Sequence, residues 1–221
     1  MTCLINYLLT GTWPDDPVTP PDEHEWVDLG LPSGTLWATC NVGANTPEEY
    51  GDYFAWGETT PKDTCEWRTY KWCNGTDSTL TKYCNNSDYG YNGFVDNKME
   101  LDPEDDAAYV NWGPSWRMPT KEQVEELMAN CTWEWTLLNG KWGHLGTGPN
   151  GNTLFLRDTG YLMHYYFCIR GDEVDIKSRT LDSSNPQKYY SQFFYQNYIA
   201  SEVEGMERDL GVTVRAVRVT E

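Results

Sequence analysis

The clearest hydrophobic pattern in the chain predicts one amphipathic helix over about residues 120–130. Four apolar residues recur at helical spacing and form a single face: Val124, Leu127, Met128 and Cys131. Thr120 and Gln123 fit a capping box, in which each side chain bonds the other residue's backbone N–H. Pro119 cannot continue a helix backwards, so it sets the boundary. The corner Trp116–Thr120 is therefore interpreted as a structural helix entrance rather than a catalytic site.

A second, shorter helix is predicted over about residues 102–109. Asp102 is expected to cap it, with Pro103 as the first helical residue, where a missing N–H costs nothing. The acids at 104–106 then lie at the positive end of the helix dipole, which explains them without any acid–base chemistry.

Alternating apolar and polar positions predict short strands elsewhere. Trp133, Trp135 and Leu137 alternate with other residues up to Asn139-Gly140, a strong two-residue hairpin turn. The remaining predicted strands are 26–31, 35–40, 141–147, 153–156, 161–169, 174–178 and 212–219. Residues 59–100 are polar and loop-like, and a segment of this length is expected to be functional or packed on the body.

The domain organisation predicted is an extended arm, residues 1–24, followed by one domain, residues 25–221. Four prolines (14, 17, 20 and 21) disfavour helix in the arm. Its apolar first residues favour docking onto another surface. They lack the positive region and the cleavage site of a signal peptide. The chain is therefore expected to be intracellular in origin, part of a virus particle, or a mature form.

Composition and charge exclude some partners. The 221 residues carry 34 acidic and 16 basic side chains, a formal net charge of −18, with no basic block. Binding to nucleic acid or to anionic membranes needs clustered Lys and Arg, so neither is expected as a main partner. No apolar run is long enough to span a bilayer, which predicts no membrane insertion. The 11 Trp and 15 Tyr predict an aromatic core with some aromatic side chains displayed.

Metal and cofactor chemistry has weak support in the sequence. The seven Cys and three His residues form no Cys-x-x-Cys pair or His cluster, so no zinc site is predicted. In an oxidising compartment Cys65, Cys73 and Cys84 could include a disulfide. Five acids offer oxygen ligands for calcium: Asp96, Asp102, Glu104, Asp105 and Asp106. A solvated loop and a helix start explain these acids better, and we predict no cofactor.

Several segments carry a family resemblance. They are VDLGLPSGTLWATCNVGA (27–44), EEYGDYFAWGET (48–59), LDPEDDAA (101–108), NWGPSWRMPTKEQVEEL (111–127), CTWEW (131–135), GPNGNTLFL (148–156) and GVTVRAV (211–217). Together, and in this order, they resemble the Fibrobacter succinogenes major paralogous domain family, common in gut Bacteroidetes. The Trp-Arg-x-Pro-Thr corner is also similar to formylglycine-generating-enzyme-like domains.

The resemblance implies an α+β, C-type-lectin-like fold: a twisted antiparallel sheet, one main helix, one short helix and long loops. It also implies that Trp26–Leu31 lies near Val212–Val219. Enzymes of the formylglycine-generating type use a pair of redox cysteines, whereas only Cys168 lies in the last third of this chain. We therefore predict that the protein is not an enzyme.

The chain departs from the family after Leu156. Family members commonly carry Leu-Pro-Ala-Ala-Gly where this chain has Leu156–Gly160, and residues 161–200 match no family segment. That segment is rich in aromatic, Asn and Ser residues, which is typical of recognition surfaces. Its candidate ligand-binding residues are Tyr165, Tyr166, Arg170, Tyr189, Tyr190, Tyr195, Asn197 and Tyr198. The alternative is that half of these aromatic side chains belong to the core.

Three functions follow as hypotheses. The first is a recognition or adhesion module on a cell or particle surface, which binds a cell-surface glycan or protein through the loops of residues 161–200, with residues 59–100 as a second candidate region. The second is a structural or decoration protein of a phage virion, whose residues 1–22 dock onto a capsid or other particle protein. The third is an enzyme of the formylglycine-generating type. The first two place the protein outside the cell, at a cell surface or on a virion.

Overall fold

The computed structural model describes residues 24–218, which include almost all of the domain predicted over 25–221. The predicted arm, residues 1–24, and its docking segment, residues 1–22, lie outside the described residues except for His24. The His24 ring stacks on Trp112, with ring centroids 3.9 Å apart. The docking of the arm therefore stays a prediction.

Short strands in antiparallel pairs dominate the described residues, so the class is α+β or mostly β. The strands are β1 Trp26–Asp28, β2 Leu36–Asn41, β3 Tyr53–Phe54, β4 Trp116–Arg117, β5 Thr132–Leu138, β6 Lys141–Thr147, β7 Thr153–Arg157, β8 Tyr161–Met163, β9 Tyr166–Cys168, β10 Glu173–Leu181, β11 Lys188–Tyr195, β12 Tyr198–Ile199, β13 Glu204–Glu207, β14 Gly211–Thr213 and β15 Arg215–Arg218. The α-helices are α1 Ala107–Trp112 and α2 Lys121–Asn130. No helix in residues 24–218 is long and apolar enough to cross a membrane.

Helix α2 confirms the main-helix prediction. The Thr120 side chain accepts from the Gln123 N–H, and the Gln123 side chain accepts from the Thr120 N–H, as a capping box requires. Val124 and Leu127 are fully buried on its inner face. Local sequence thus fixes both the start of α2 and the face that it turns to the core.

The short helix differs from its prediction. Residues 103–105 form a 3₁₀ turn, and α1 starts only at Ala107. Asp106, not Asp102, is the cap, because its extended backbone lets its carboxylate accept from the Ala108 and Tyr109 N–H groups. The Asp106 carboxylate also accepts from the Met118 N–H, which ties α1 to the corner before α2.

Both ends of the described domain meet in the first sheet, whose strand order is β1-β2-β15-β4. Strands β1 and β15 flank β2, and the Arg218 guanidinium lies 5.6 Å from the centre of the Trp26 ring. The termini are thus close, as the resemblance implies. The single strand predicted over 212–219 is wrong, because the chain divides at Val214 into β14 and β15, which belong to different sheets.

The third sheet has the order β5-β6-β7 and confirms the strands predicted over 133–137, 141–147 and 153–156. Asn139 and Gly140 have φ values of 48° and 79°, as a type I′ turn requires. The second sheet has the order β3-β14-β8-β9, and the fourth joins β10, β11, β12 and β13. The strand predicted over 161–169 is instead the hairpin β8–β9, because the chain reverses at His164, whose φ is 52°.

Two large apolar clusters, and a small one of Tyr53, Cys65 and Leu162, form the core of the described domain. One large cluster gathers side chains from the first, second and fourth sheets and α1, with Trp56, Trp116 and Tyr189 fully buried. The other large cluster packs α2 between the first, third and fourth sheets through Leu127, Trp37 and other apolar residues. Burial of one such large side chain stabilises the fold by about 1.5–3 kcal/mol.

Residues 59–100 pack on this body without forming regular strands, as the sequence predicts. A buried arginine, Arg208, holds them by donating to the Tyr70 hydroxyl and to the Tyr83 and Lys82 carbonyls over 2.9–3.1 Å. The buried carboxylate of Asp105, which lies outside the segment, also holds it by accepting from Lys71, Lys82 and the Tyr83 hydroxyl.

Candidate functional site

The β8–β9 hairpin displays a group of five neighbouring exposed apolar side chains within residues 161–170. We call this group the hairpin surface, and its exposed fractions range from 38% to 71%: Met163, Tyr165, Tyr166, Phe167 and Ile169. Two of the predicted ligand-binding residues, Tyr165 and Tyr166, are its most exposed members at 70% and 71%. An apolar group of this kind on a protein surface is typical of an interaction site.

The hairpin is exposed because of its place in the second sheet. Each of its strands has three residues, with Met163 paired to Tyr166 across the turn. Strand β9 is the edge strand of the sheet order β3-β14-β8-β9, so no described strand covers its outer side. Short, twisted edge strands resist pairing with other sheets, which leaves their side chains as the contact surface.

The Arg170 side chain packs against the hairpin. Its guanidinium carbon lies 3.5 Å from the centre of the Phe167 ring and 4.2 Å from that of Tyr50. Its Nη2 donates to the Tyr53 hydroxyl at 2.9 Å, and that hydroxyl donates to the Thr159 carbonyl at 2.6 Å. Arg170, predicted to bind ligand directly, therefore orients Phe167 through cation–π contacts.

A side pocket of about 480 Å³ opens beside the hairpin surface. It is lined by Cys65, Glu66, Trp67, Arg68, Gly75, Thr76, Asp77, Met163, His164, Glu207, Asp209 and Leu210. Backbone bonds in both directions join Cys65 to His164, so this part of 59–100 is fixed to the hairpin. Burial raises the pKa of Asp209 to about 6. Four carboxyl groups line the side pocket, those of Glu66, Asp77, Glu207 and Asp209, and the pocket adjoins the aromatic side chains.

Two further candidates are adjacent on β11, where the side chains of neighbouring residues point to opposite faces. Tyr189 has no exposed surface and packs in the core against Trp56, so the prediction that it is displayed for binding is wrong. Tyr190 is half-buried and lines a groove of about 760 Å³ between α2 and the fourth sheet. The Lys121 Nζ lies 5.1 Å from the centre of the Tyr190 ring.

The turn between β11 and β12 brings together the remaining three candidates. Tyr195 and Tyr198 stack with ring centroids 6.2 Å apart, and Asn197 lies exposed between them in the turn. Tyr198 is 58% exposed, whereas Tyr195 is half-buried. The structure therefore divides the predicted residues among the hairpin surface, the groove, this turn and the core.

Sequence reasoning missed a stacked tryptophan pair on the third sheet. Trp135 and Trp142 lie parallel at 5.7 Å, and Trp142 is 47% exposed. The sequence did carry a signal for this pair. The Asn139-Gly140 turn places Leu137 opposite Trp142, and strand alternation puts Trp135 on the same face as Leu137. Met163, Phe167 and Ile169 were also missed, because a single strand over 161–169 places all three on one face and does not predict the reversal at His164 that exposes the hairpin.

Four of the five acids considered for calcium, all but the exposed Glu104, have partners among the described residues. Asp102 pairs with Lys82 and Lys98, and Asp96 accepts from the Tyr83 and Cys84 N–H groups. Among residues 24–218, no group of three or more His, Cys, Asp or Glu side chains is placed to hold a metal ion.

The described cysteines show no sign of activation. Those six are free thiols: Cys40, Cys65, Cys73, Cys84, Cys131 and Cys168. Burial raises the pKa of the Cys65, Cys73 and Cys84 thiols. A raised pKa disfavours the thiolate that redox or nucleophilic chemistry needs.

No family model, curated protein or solved structure matches this chain. The family resemblance therefore rests on the sequence motifs alone, and the function has to be argued from the surfaces described above.

Proposed function

We propose that this protein is a non-enzymatic recognition module that binds a cell-surface protein or glycan through the hairpin surface. The observation that carries the proposal is the adjacent display of Tyr165, Tyr166 and Phe167 on an edge hairpin with a rigid base. Tyrosine rings give large contact area at low entropic cost, and they stack on sugars as well as on apolar protein groups. Display at a cell or particle surface is part of this proposal.

We also infer a C-type-lectin-like arrangement of the domain. Three features support that arrangement: both ends meet in the first sheet, there are two helices in the described residues, and the long 59–100 segment packs on the body. In such a fold the framework is separate from the loops that make contact. The stability of the framework then does not depend on the identity of the exposed residues, which suits a module whose ligand can change.

The test is a paired substitution on the hairpin. The double variant Tyr165→Ser, Tyr166→Ser removes two rings of the hairpin surface, and Tyr91→Ser removes a ring that is exposed in the 59–100 segment. Labelled protein is applied to a glycan array and to intact bacterial cells. We expect binding by the double variant to fall at least about tenfold, with that of Tyr91→Ser unchanged. Equal binding by all three proteins would refute the proposal.

A further inference from the structure

A third cavity, of about 320 Å³, lies between the first sheet and the start of α2. We call it the arginine pocket, and it is lined by Ser33, Thr35, Arg117, Gln123, Arg179, Val217 and Arg218. The chain has 34 acidic against 16 basic side chains, yet none of the described residues that line this pocket is acidic. The groove and the side pocket, by contrast, both contain carboxylates.

Separate elements bring the arginines together. Arg117 ends β4 and pairs with Val217 of β15, so Arg218 follows one residue later on the same strand. Arg179 comes from β10, whose backbone N–H at this residue donates to the Pro119 carbonyl at 2.8 Å. That bond holds Arg179 against the corner from which α2 begins. The convergence is therefore a product of the tertiary fold.

Arg117 is held in place before any ligand arrives. Its guanidinium carbon lies 4.0 Å from the centre of the Tyr109 ring. Its Nη1 donates to the Pro114 and Trp116 carbonyls at 3.1 and 2.7 Å. A guanidinium fixed by one nitrogen and one ring contact loses little further entropy when its other N–H groups bind an anion.

Arg179 has unused donor capacity in the protein. One nitrogen, Nη2, pairs with the exposed Glu100 carboxylate at 3.1 Å. The Nε atom is buried and has no hydrogen-bond partner within the described structure. An unsatisfied buried donor is unfavourable, and an acceptor in the pocket would relieve that cost.

Neutral polar groups complete the lining. The Ser33 and Thr35 hydroxyls lie 2.6 Å apart, and the Gln123 amide donates to the Thr35 hydroxyl at 3.4 Å. Glu126 holds Ser33 by accepting from its N–H at 2.8 Å, although Glu126 is not part of the lining. The Ser33 hydroxyl donates to the Glu126 carboxylate at 2.5 Å, so the hydroxyl groups are satisfied within the protein and the guanidinium groups supply the donors of the pocket. The cavity is at the small end of the usual range for ligand sites, roughly 300–1,000 Å³.

We propose that the arginine pocket binds a small tetrahedral oxyanion, a phosphate or sulfate group, either free or carried on a sugar. Planar guanidinium groups bind such oxyanions through two parallel hydrogen bonds, and the bonds are charge-assisted. The pocket shares no residue with the hairpin surface, so this inference does not depend on the proposed function.

The experiment measures binding of inorganic phosphate, inorganic sulfate, glucose 6-phosphate and glucose by calorimetry, with sodium chloride holding the ionic strength constant. Arg179→Gln should weaken oxyanion binding about tenfold or more, since it removes a charged donor. Glu100→Gln breaks the same ion pair but leaves the pocket charge, so binding should persist or tighten. Arg68→Gln, a matched loss of an exposed arginine, should change nothing.

Tighter binding of glucose 6-phosphate than of inorganic phosphate supports the proposal and identifies a sugar-borne group, whereas equal binding supports it with a free ion. Three results would overturn it: wild-type protein that distinguishes no oxyanion from chloride, equal weakening by Glu100→Gln and Arg179→Gln, or phosphate binding that appears only after residues 219–221 are deleted. The melting temperature of each variant shows that it is folded.

Discussion

The β8–β9 hairpin and the 59–100 segment meet at Cys65 and His164, yet they are stabilised in opposite ways. The hairpin presents apolar side chains to solvent and rests on the Arg170 guanidinium and on a small apolar cluster of Leu162 with Tyr53 and Cys65. The 59–100 segment is polar in sequence, but it is fixed by a buried arginine and a buried aspartate. A polar sequence therefore does not prevent the 59–100 segment from being held firmly by buried contacts.

The difference has a physical basis. A buried charge is tolerated only when hydrogen bonds replace its lost hydration, so each of these charges fixes several loop groups at once. Exposed aromatic side chains need few such hydrogen bonds, so they can be replaced by other residues without loss of the fold. The 59–100 segment is thus interpreted as framework and the hairpin as a contact surface.

Removing the buried arginine should have the largest effect. Arg208→Met retains the volume but leaves the Tyr70 hydroxyl and three carbonyls without a donor: Lys82, Tyr83 and Pro186. We expect the free energy of unfolding to fall by about 3–5 kcal/mol, measured by urea denaturation. Limited proteolysis should then cut within residues 59–100 before the hairpin.

The control for this prediction is Arg68→Met, since Arg68 is exposed. It should change the free energy of unfolding by less than about 0.5 kcal/mol. A loss below about 1 kcal/mol for Arg208→Met would show that the 59–100 segment is not held by the buried charge.

A second prediction concerns a buried base. Burial lowers the pKa of His144 to about 4, and its Nδ1 has no partner in the described structure. The folded state therefore keeps the ring neutral, while the unfolded chain takes up the proton near pH 6.5. Stability is complete above that pH and falls by up to about 1.4 kcal/mol per pH unit as the pH drops towards 4.

Comparison with His144→Phe isolates this effect, because buried carboxyl groups contribute an opposite slope in both proteins. By pH 5 the wild type should have lost about 1–2 kcal/mol relative to the variant, judged from urea denaturation at several pH values. Parallel curves for the two proteins would show that His144 is solvated.

A third prediction tests whether the buried carboxyl group of Asp175 stabilises the fold. Asp175 is buried with both carboxylate oxygens lacking a hydrogen-bond partner in the described structure. Burial, with the nearby Glu173, raises the pKa of Asp175 well above its usual range. The folded protein therefore loses stability as the pH rises through the pKa of Asp175, because the buried group must then ionise. Asp175→Asn should gain about 1 kcal/mol at pH 8 and nothing near pH 4, by thermal unfolding. Loss of stability at pH 8 would indicate an essential ion pair with Lys177.

The parts of the fold that sequence predicts are those coded locally. The capping box at Thr120 and Gln123 and the Asn139-Gly140 turn need only neighbouring residues, and both occur as predicted. The cap of α1 moved to Asp106 because the Met118 N–H, 12 residues further on, also binds that carboxylate. No local pattern could show this contact.

The site was harder to predict for the same reason. Tyr189 and Tyr190 are adjacent and chemically identical, but strand geometry buries one and leaves the other in the groove. The exposure of Tyr166 depends on the position of β9 at a sheet edge, and the arginine pocket depends on three strands meeting. These features follow from sheet order, which composition does not encode.

The smallest effect is expected on the hairpin itself. Tyr166 is 71% exposed, so Tyr166→Ser should change the free energy of unfolding by less than about 0.5 kcal/mol. Phe167 contacts the Arg170 guanidinium and packs edge-on against Tyr53 at 5.0 Å, so Phe167→Ser should cost about 1 kcal/mol. Urea denaturation of both variants, with Tyr91→Ser as the exposed-ring control, measures the difference. If Tyr166→Ser were as destabilising as Phe167→Ser, the exposed hairpin side chains would be part of the framework. The contrast between a 59–100 segment that supports the fold and a hairpin that only offers a contact surface would then be wrong.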